Sequence, residues 1–435
     1  MITEPYDIVI VGGGLVGLSL ALALGQSQSK TSQRLKVAVI EPYPMMSADQ
    51  SANPSFDARS TALSYSTERI YRRLGIWDGV VSSAAAIRRI HVSDKGQWGA
   101  TRLVASEQGM DCYGYVVPNE VLGRNLYRAF HQQRQVELVA SLKVSSMVAQ
   151  SGGYLLTLGD SSDIPSRQLS ARLVVVTDGG RSNLAEQLGI SYKVSDYHQH
   201  AVIANIGLSR SHEEIAYERF TGEGAMALLP LADYISPPGG ENDVSDSTMG
   251  LAGKREFRSA LVWTVPSRQA PGLLEISDAD FLARLQKVFG HRAGRFIRVG
   301  ERHTYPLQLK TASEQFRQGL VLLGNSAHTL HPVAGQGYNL ALRDAMTLAE
   351  CIRQTTTVEQ VGSLEVLNHY FEMQRADQAR TIMGSDGLLK LFGSKASWIR
   401  QARSLGLVSL NLLGLAKEQF TEVAMGVSGV AREWR

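Results

Sequence analysis

Apolar positions fall into two rhythms along the chain, continuous β-branched runs and stripes at helical spacing. Ile8 to Val11 is an unbroken apolar run, the pattern of a central parallel strand buried on both faces. An apolar helix over Leu18 to Leu24 is expected next, then a strand over Lys36 to Ile40. Leu173 to Val176 and Leu320 to Leu323 repeat the continuous run, and short strands separated by turn clusters are expected between 136 and 178. Helical spacing appears in Leu122, Leu126, Ala129 and Phe130, behind Asn119 as the expected cap. It recurs in Phe281, Leu282, Leu285, Val288 and Phe289, between Ser277 and Gly290. A long helix is expected from about Gly337, with Leu342, Ala345, Ala349 and Ile352 as its buried stripe. Phe56 to Ser64 reads as a polar lead into a helix that stops at Gly75. From Ala201 to about Arg302 the texture changes to alternating, β-rich segments, interrupted by a Pro/Gly/acidic tip over Ser236 to Ser247.

Strand-helix-strand order at both ends of a β-rich middle predicts an α/β fold, in which a Rossmann-like domain is interleaved with a mixed β-sheet domain and followed by a C-terminal helical segment. The expected boundaries are 1–190 for the first part of the dinucleotide domain with some strands of the second, 191–302 for the β-rich domain, 303–395 for the return segment and 396–435 for the tail. The tail from Trp398 to Val430 mixes apolar residues with Arg400, Arg403 and Lys417. Core packing or homo-oligomer formation is one reading of it, and a membrane surface or partner helix is the other.

Charge changes the picture little. Lys plus Arg number 44 against 41 for Asp plus Glu, without a concentrated basic run, so nucleic acid is not an expected partner. Two distant cysteines, Cys112 and Cys351, suit a reducing, cytoplasmic compartment without a disulfide framework. The uncharged stretch Ile8 to Gly25 resembles a signal or membrane span in hydropathy alone. Its acidic flank and internal glycines argue for a strand and helix instead.

Candidate chemistry sits where apolar strands end in glycine. Gly12, Gly14 and Gly17, with Leu15 and Val16 among them, form G-x-G-x-x-G between a strand and a helix: a tight turn, a close approach to a pyrophosphate, and helix-strand packing. Glu41, at the end of the next strand, is placed to accept hydrogen bonds from ribose hydroxyls. Asp178 and Gly179 end a second buried strand, where Asp178 either caps the next helix or orients its loop, or else serves a cofactor. A third loop runs through Asn325, His328, His331, Pro332, Gly335, Gln336, Gly337, Tyr338 and Asn339 into the long helix. Its free N–H groups suit an electron-rich ring edge. Arg59 and Arg124 are either cofactor contacts or solvated surface arginines. His328 and His331 lack a carboxylate or thiol at ligand spacing, so no metal site is expected.

Together these motifs resemble the group A FAD-dependent aromatic monooxygenases over essentially the whole chain, and within them the ubiquinone-biosynthesis hydroxylases. The first fingerprint matches Gly12, Gly14, Gly17 and Glu41, and the D-G motif matches Asp178-Gly179 with Arg181. The third motif matches Gly324 to His328, Pro332 and Gly335 to Asn339, with Asn325 where most of the family has Asp. The D-A-R-S-T-A-L-S stretch around Arg59 is similar to the ubiquinone branch. The resemblance implies noncovalent FAD, NAD(P)H as a visiting reductant, and O2 as co-substrate. It further implies a flavin C4a-hydroperoxide that hydroxylates a polyprenyl-phenol lipid, with FAD held by the glycine, acidic and arginine positions above. His331 is the candidate catalytic side chain, and a ubiquinone-biosynthesis complex or the inner membrane face is the expected setting. Two rivals share the pattern: another flavin oxidoreductase on the same fold, and a non-catalytic scaffold of a lipid-processing complex.

Overall fold

The computed structural model describes residues 6–26, 34–44, 59–97, 100–159, 167–235, 255–331 and 335–393. Pro332, the Ser236 to Ser247 tip and the 396–435 tail lie outside these residues.

A parallel sheet forms the first layer, in the order Leu320–Leu322, Arg167–Val176, Tyr6–Val11, Val37–Glu41, Val136–Ala140. Successive side chains of Tyr6–Val11 point to opposite faces, and both faces are covered. Ile8 and Ile10 pack with the helices, while Val9 and Val11 pack with Met147, Leu156 and Leu169 on the other side. Each such fully buried aliphatic side chain contributes about 1.5–3 kcal/mol, which is why the run is unbroken and not alternating. The helices Leu15–Gln26, Asn119–Gln132 and Gln336–Arg353 share the first core. The hairpin Val144–Gln150 and Gly153–Leu158 extends the sheet antiparallel.

Burial in the Gln336–Arg353 helix goes beyond one stripe. Leu342, Ala345, Ala349 and Ile352 are buried as expected, but so are Arg343, Asp344, Thr347 and Glu350. The Leu364–Gly393 helix covers that polar side and supplies its partners. Asp377 takes the Arg343 guanidinium at 2.7 Å, and Gln378 donates to Asp344 at 3.1 Å.

Three local expectations are corrected. Ser60–Ser64 is a strand, paired with Gly114–Pro118, and the helix Tyr65–Arg73 begins only after it, capped by Ser64. Asn119 does not cap its helix: it is the first helical residue, and its side-chain oxygen accepts from the Thr61 hydroxyl at 2.6 Å. His303–Ala312 belongs to the second sheet, so the chain rejoins the first sheet at Phe316 and not at 303.

That second sheet runs His328–Thr329, His303–Ala312, Tyr192–Leu208, Arg255–Pro266, Ala225–Pro230, Ile215–Phe220, Arg89–Asp94, Ala100–Val104. One face packs on the helix Asp278–Phe289, which Ser277 caps by accepting from the Asp280 amide at 3.1 Å. The other face looks back toward the glycine loops. Among the described residues no helix is long and apolar enough to cross a membrane, and the Ile8 to Gly25 stretch is divided between a strand and a helix.

Candidate active site

The first turn is held by contacts that only glycine permits. Gly12 has φ +110°, and a Cβ there would lie 2.8 Å from the Thr177 carbonyl carbon. A Cβ on Gly17 would lie 1.9 Å from the Gly12 oxygen, so Gly17 lets the helix press against the turn. Glu41 is buried and accepts from the Gly13 amide at 2.6 Å and the Tyr43 amide at 3.2 Å, tying the second strand end to the turn.

The second and third loops are clamped to each other. Asp178 accepts from the Gly180 and Ser182 amides, both at 2.9 Å, and from the Ser326 hydroxyl at 2.6 Å. These bonds orient the loop, and the next helix, Leu184–Gln187, has Asn183 and not Asp178 at its N-cap position. At the start of the long helix, Gly335 adopts φ +61°, with Ala62 Cβ only 3.1 Å from where its own Cβ would be. Asn339 Oδ1 accepts from the Ser64 amide at 2.9 Å and the Thr67 hydroxyl at 2.8 Å. Its Nδ2 donates to the Ala62 and Gly335 carbonyls, both at 2.9 Å. Those four bonds use the amide's full capacity, so its side chain rivets the Ser60–Ser64 strand to the helix start.

Between these loops and the second sheet lies a cavity of about 520 Å³. Gly14, Leu15 and Val16 from one helix start and Gly335 to Asn339 from another both line it. Two positive helix ends therefore face one space, with Arg59 and Arg181 also on its wall. Arg59 lies 5.0 Å over the Tyr305 ring, bridging to the second sheet. The donor set suits a dinucleotide: amide-rich turns and arginines for its phosphates, and a helix end for a ring that becomes anionic when reduced.

His331 also lines the cavity, buried, edge-on to Tyr197 at 5.4 Å between ring centroids. Burial pushes its pKa down to about 4, so the ring is neutral through the neutral range. His328 lies beneath the loop, 3.6 Å from Asp344, and is likewise pushed down to about 4 by burial. Asp344 is pushed up to about 8 by its own burial, against the lowering effects of Gln378 and Arg343.

These shifts give a pH dependence with a definite sign. Between the ordinary histidine value of 6.5 and about 4, the unfolded chain binds three imidazole protons that the folded chain refuses, those of His328, His331 and His91, which burial on the second sheet also pushes down to about 4, while folded Asp344 holds one proton more than unfolded. Stability then falls as pH drops, by a net slope of about 2.7 kcal/mol per pH unit. Above 6.5 only Asp344 counts, and stability falls as pH rises through about 8. Melting temperature is therefore expected to peak near pH 6.5, and Asp344→Asn to flatten the alkaline limb while steepening the acid one. Thermal melts of the holoprotein from about pH 5 to about pH 8.5 check this, and an unchanged alkaline limb in the variant would contradict it.

Gly179 and Asn325, with Arg59, His331 and the Gly14–Val16 and Gly335–Asn339 stretches, are thus brought together around the cavity. Gly12, Gly17, Glu41 and Asp178 stand behind its lining as supports. Arg124 is not a lining residue: it is exposed on its helix and ion-paired with Glu120, the solvated alternative of its two readings. Pro332 is outside the described residues. Sequence reading missed Thr61 to Ser64 and the whole sheet wall, including Ile90, Val92 and Glu218. Alternation in Ile215–Phe220 was the one available signal, and it carries no hint of which face meets a ligand.

Comparison with known proteins agrees with this geometry. A family model described as an FAD binding domain matches residues 5–383. A ubiquinone hydroxylase, UbiL, of Rhodospirillum rubrum is 31% identical over 97% of this chain and 89% of its own. The 3-demethoxyubiquinol 3-hydroxylase of Escherichia coli is 28% identical over 98% of this chain and all of its own (100%). Among solved structures, p-nitrophenol 4-monooxygenase PnpA of Pseudomonas putida superposes with a TM-score of 0.73 at 18% identity, covering 99% of both chains, which speaks to the fold alone.

Proposed function

The chain belongs to the FAD binding domain family and, within it, to the FAD-dependent hydroxylases of ubiquinone biosynthesis; from that premise we propose that it hydroxylates the aromatic ring of a polyprenyl phenol. The observation that carries the reading is the two-sided cavity, with glycine turns and helix ends on one side and a largely hydrocarbon sheet on the other. Bound FAD, reduced by NAD(P)H, supplies the activation of O2 from which one oxygen atom passes to the ring.

The chain's own residues do the rest. The turn at Gly12–Gly14 and the start of Leu15–Gln26 hold the phosphates, with Arg59 and Arg181 neutralising charge. The start of Gln336–Arg353, on the cavity wall, would stabilise negative charge on the reduced cofactor. Asn325, on the cavity wall, would accept from a cofactor hydroxyl through its carbonyl, where an Asp would add charge. His331 acts as a neutral donor or acceptor on the cavity wall, not as a carrier of charge. Apolar side chains of the second sheet exclude water from the reacting oxygen and accept the lipid substrate.

Within the family, the D-A-R-S-T-A-L-S and T-L-H-P-V-A-G-Q-G-Y-N-L stretches support 2-octaprenyl-6-methoxyphenol hydroxylase as the member. A cytoplasmic enzyme at the inner membrane face follows from so apolar a substrate. The test is the quinone precursor that accumulates in cells lacking the chain. A polyprenyl methoxyphenol is expected, removed when the chain is restored. Accumulated demethoxyubiquinol would move the assignment to another ring position, and unchanged ubiquinone would overturn it.

A further inference from the structure

Along Tyr192–Leu208 successive side chains alternate between the two faces of the second sheet. Val202, Ala204 and Ile206 pack in the core on one face, so Ile203 and Asn205 point the other way, and both line the cavity. The same strand runs from the cofactor loops outward. The Tyr192 hydroxyl donates to the Ser326 carbonyl at 2.9 Å, Tyr197 meets the His331 ring, and Ala201 pairs with Tyr305, over whose ring Arg59 lies. Asn205 comes roughly 13 Å beyond Ala201, at about 3.3 Å per residue, on the part of the wall away from the third loop and Arg59. Small residues stand on both sides of it. Ala260 is its cross-strand partner, and Gly300, whose amide donates to the Asn205 carbonyl at 2.8 Å, places no side chain beside it. The wall around it is hydrocarbon from Ala227, Leu229, Ala260 and Val262. Glu218, the wall's other polar side chain, already has a partner within the protein, whereas the Asn205 side-chain amide has none among the described residues. An amide on such a wall costs desolvation that Val or Ala would not, so the position is suited to a ligand that satisfies it.

We propose that Asn205 is the substrate-binding residue that reads a hydroxyl and a methoxy group on adjacent carbons of the aromatic ring. This rests on the hydroxylase reading above. A carboxamide presents one acceptor and one donor group on a single planar edge. An ortho-methoxyphenol presents the complement, a hydroxyl that donates and an ether oxygen that can only accept. Asn205 Oδ1 accepts from the hydroxyl while Nδ2 donates to the ether, and the low ground at Ala260 and Gly300 lets the ring approach the amide in plane. Held by that edge, the ring turns its opposite edge, which includes the carbon para to the hydroxyl, toward the third loop and Arg59. The hydroxyl makes that carbon electron-rich, so one grip selects both the substrate and the ring position.

The test uses FAD-loaded protein and three probes, with binding read from the perturbed flavin absorbance. They are a short-chain prenyl phenol with methoxy beside its hydroxyl, its analogue with ethyl in place of methoxy, and its O-methyl ether. Each analogue loses one of the two bonds, so the native protein is expected to bind it about threefold to tenfold more weakly than the parent. In Asn205→Leu both preferences disappear while flavin occupancy is kept. In Asn205→Asp they separate: the carboxylate still accepts, so the preference over the O-methyl ether stays, and without a donor the preference over the ethyl analogue is lost. Equal affinity of the native protein for all three probes, or preferences unchanged in Asn205→Leu, overturns the assignment. So does loss of FAD in both variants, which would make the amide a part of the fold. If the native protein neither binds nor hydroxylates any prenyl phenol, the hydroxylase reading itself has failed, an outcome distinct from preferences that survive without Asn205.

Discussion

Gly14→Val is expected to yield a folded protein that no longer keeps FAD. Gly14 lines the cavity at the first helix start, and its carbonyl accepts the first helical bond, from the Leu18 amide at 3.0 Å. Its backbone role survives the substitution. What changes is the space beside it, where the added carbons occupy the path assigned to the pyrophosphate. Losing that approach is worth at least about a hundredfold in affinity, about 2.7 kcal/mol, by the scale of overpacked contacts. Flavin absorbance per mole of purified protein, with the melt of the flavin-free form as a control for folding, is the readout. Gly17→Val makes the instructive contrast: its Cβ would meet the Gly12 oxygen at 1.9 Å, so that variant should lose the fold of the βαβ unit and not the cofactor alone. Full flavin occupancy in Gly14→Val would contradict the placement.

A second large effect is expected far from the cavity mouth, at the Arg343–Asp377 pair. Arg343 is 1% exposed, and its guanidinium meets Asp377 at 2.7 Å where the Gln336–Arg353 and Leu364–Gly393 helices cross. Asp377→Ala leaves that charge buried without its counterion, a loss of about 3–5 kcal/mol. Replacing both, as Arg343→Met with Asp377→Leu, should recover most of it, because two apolar side chains carry no desolvation cost. Because the same helix starts at the cavity, the single variant should also bind FAD more weakly. Urea unfolding of the native protein and of the two variants separates the terms, and a single variant within about 1 kcal/mol of the native protein would contradict this account.

Sequence legibility followed the physics of each element. Parallel strands such as Tyr6–Val11 are buried on both faces, so their composition alone marks them. Glycine turns were equally plain, because Gly12 and Gly335 need backbone angles that other residues resist. Ser60–Ser64 was misread since small hydroxyl residues before a helix look like its lead, and only pairing with Gly114–Pro118 makes them a strand. Beyond the apolar stripe, burial of the polar side of Gln336–Arg353 was not legible, because it comes from a separate helix, Leu364–Gly393, whose cover leaves no trace in the spacing. Glu218 was invisible for a deeper reason. It meets Val92 and Ala227 through strand register, and the Val92 pairing joins parallel strands remote in sequence.

Hydroxylation inside the cavity is most directly tested with labelled oxygen. FAD-loaded protein, NAD(P)H and a prenyl phenol are incubated under ¹⁸O₂, and the product is weighed by mass spectrometry. A phenolic product carrying a single ¹⁸O atom on the ring is the predicted result. NAD(P)H consumption with unlabelled or unchanged phenol would contradict it.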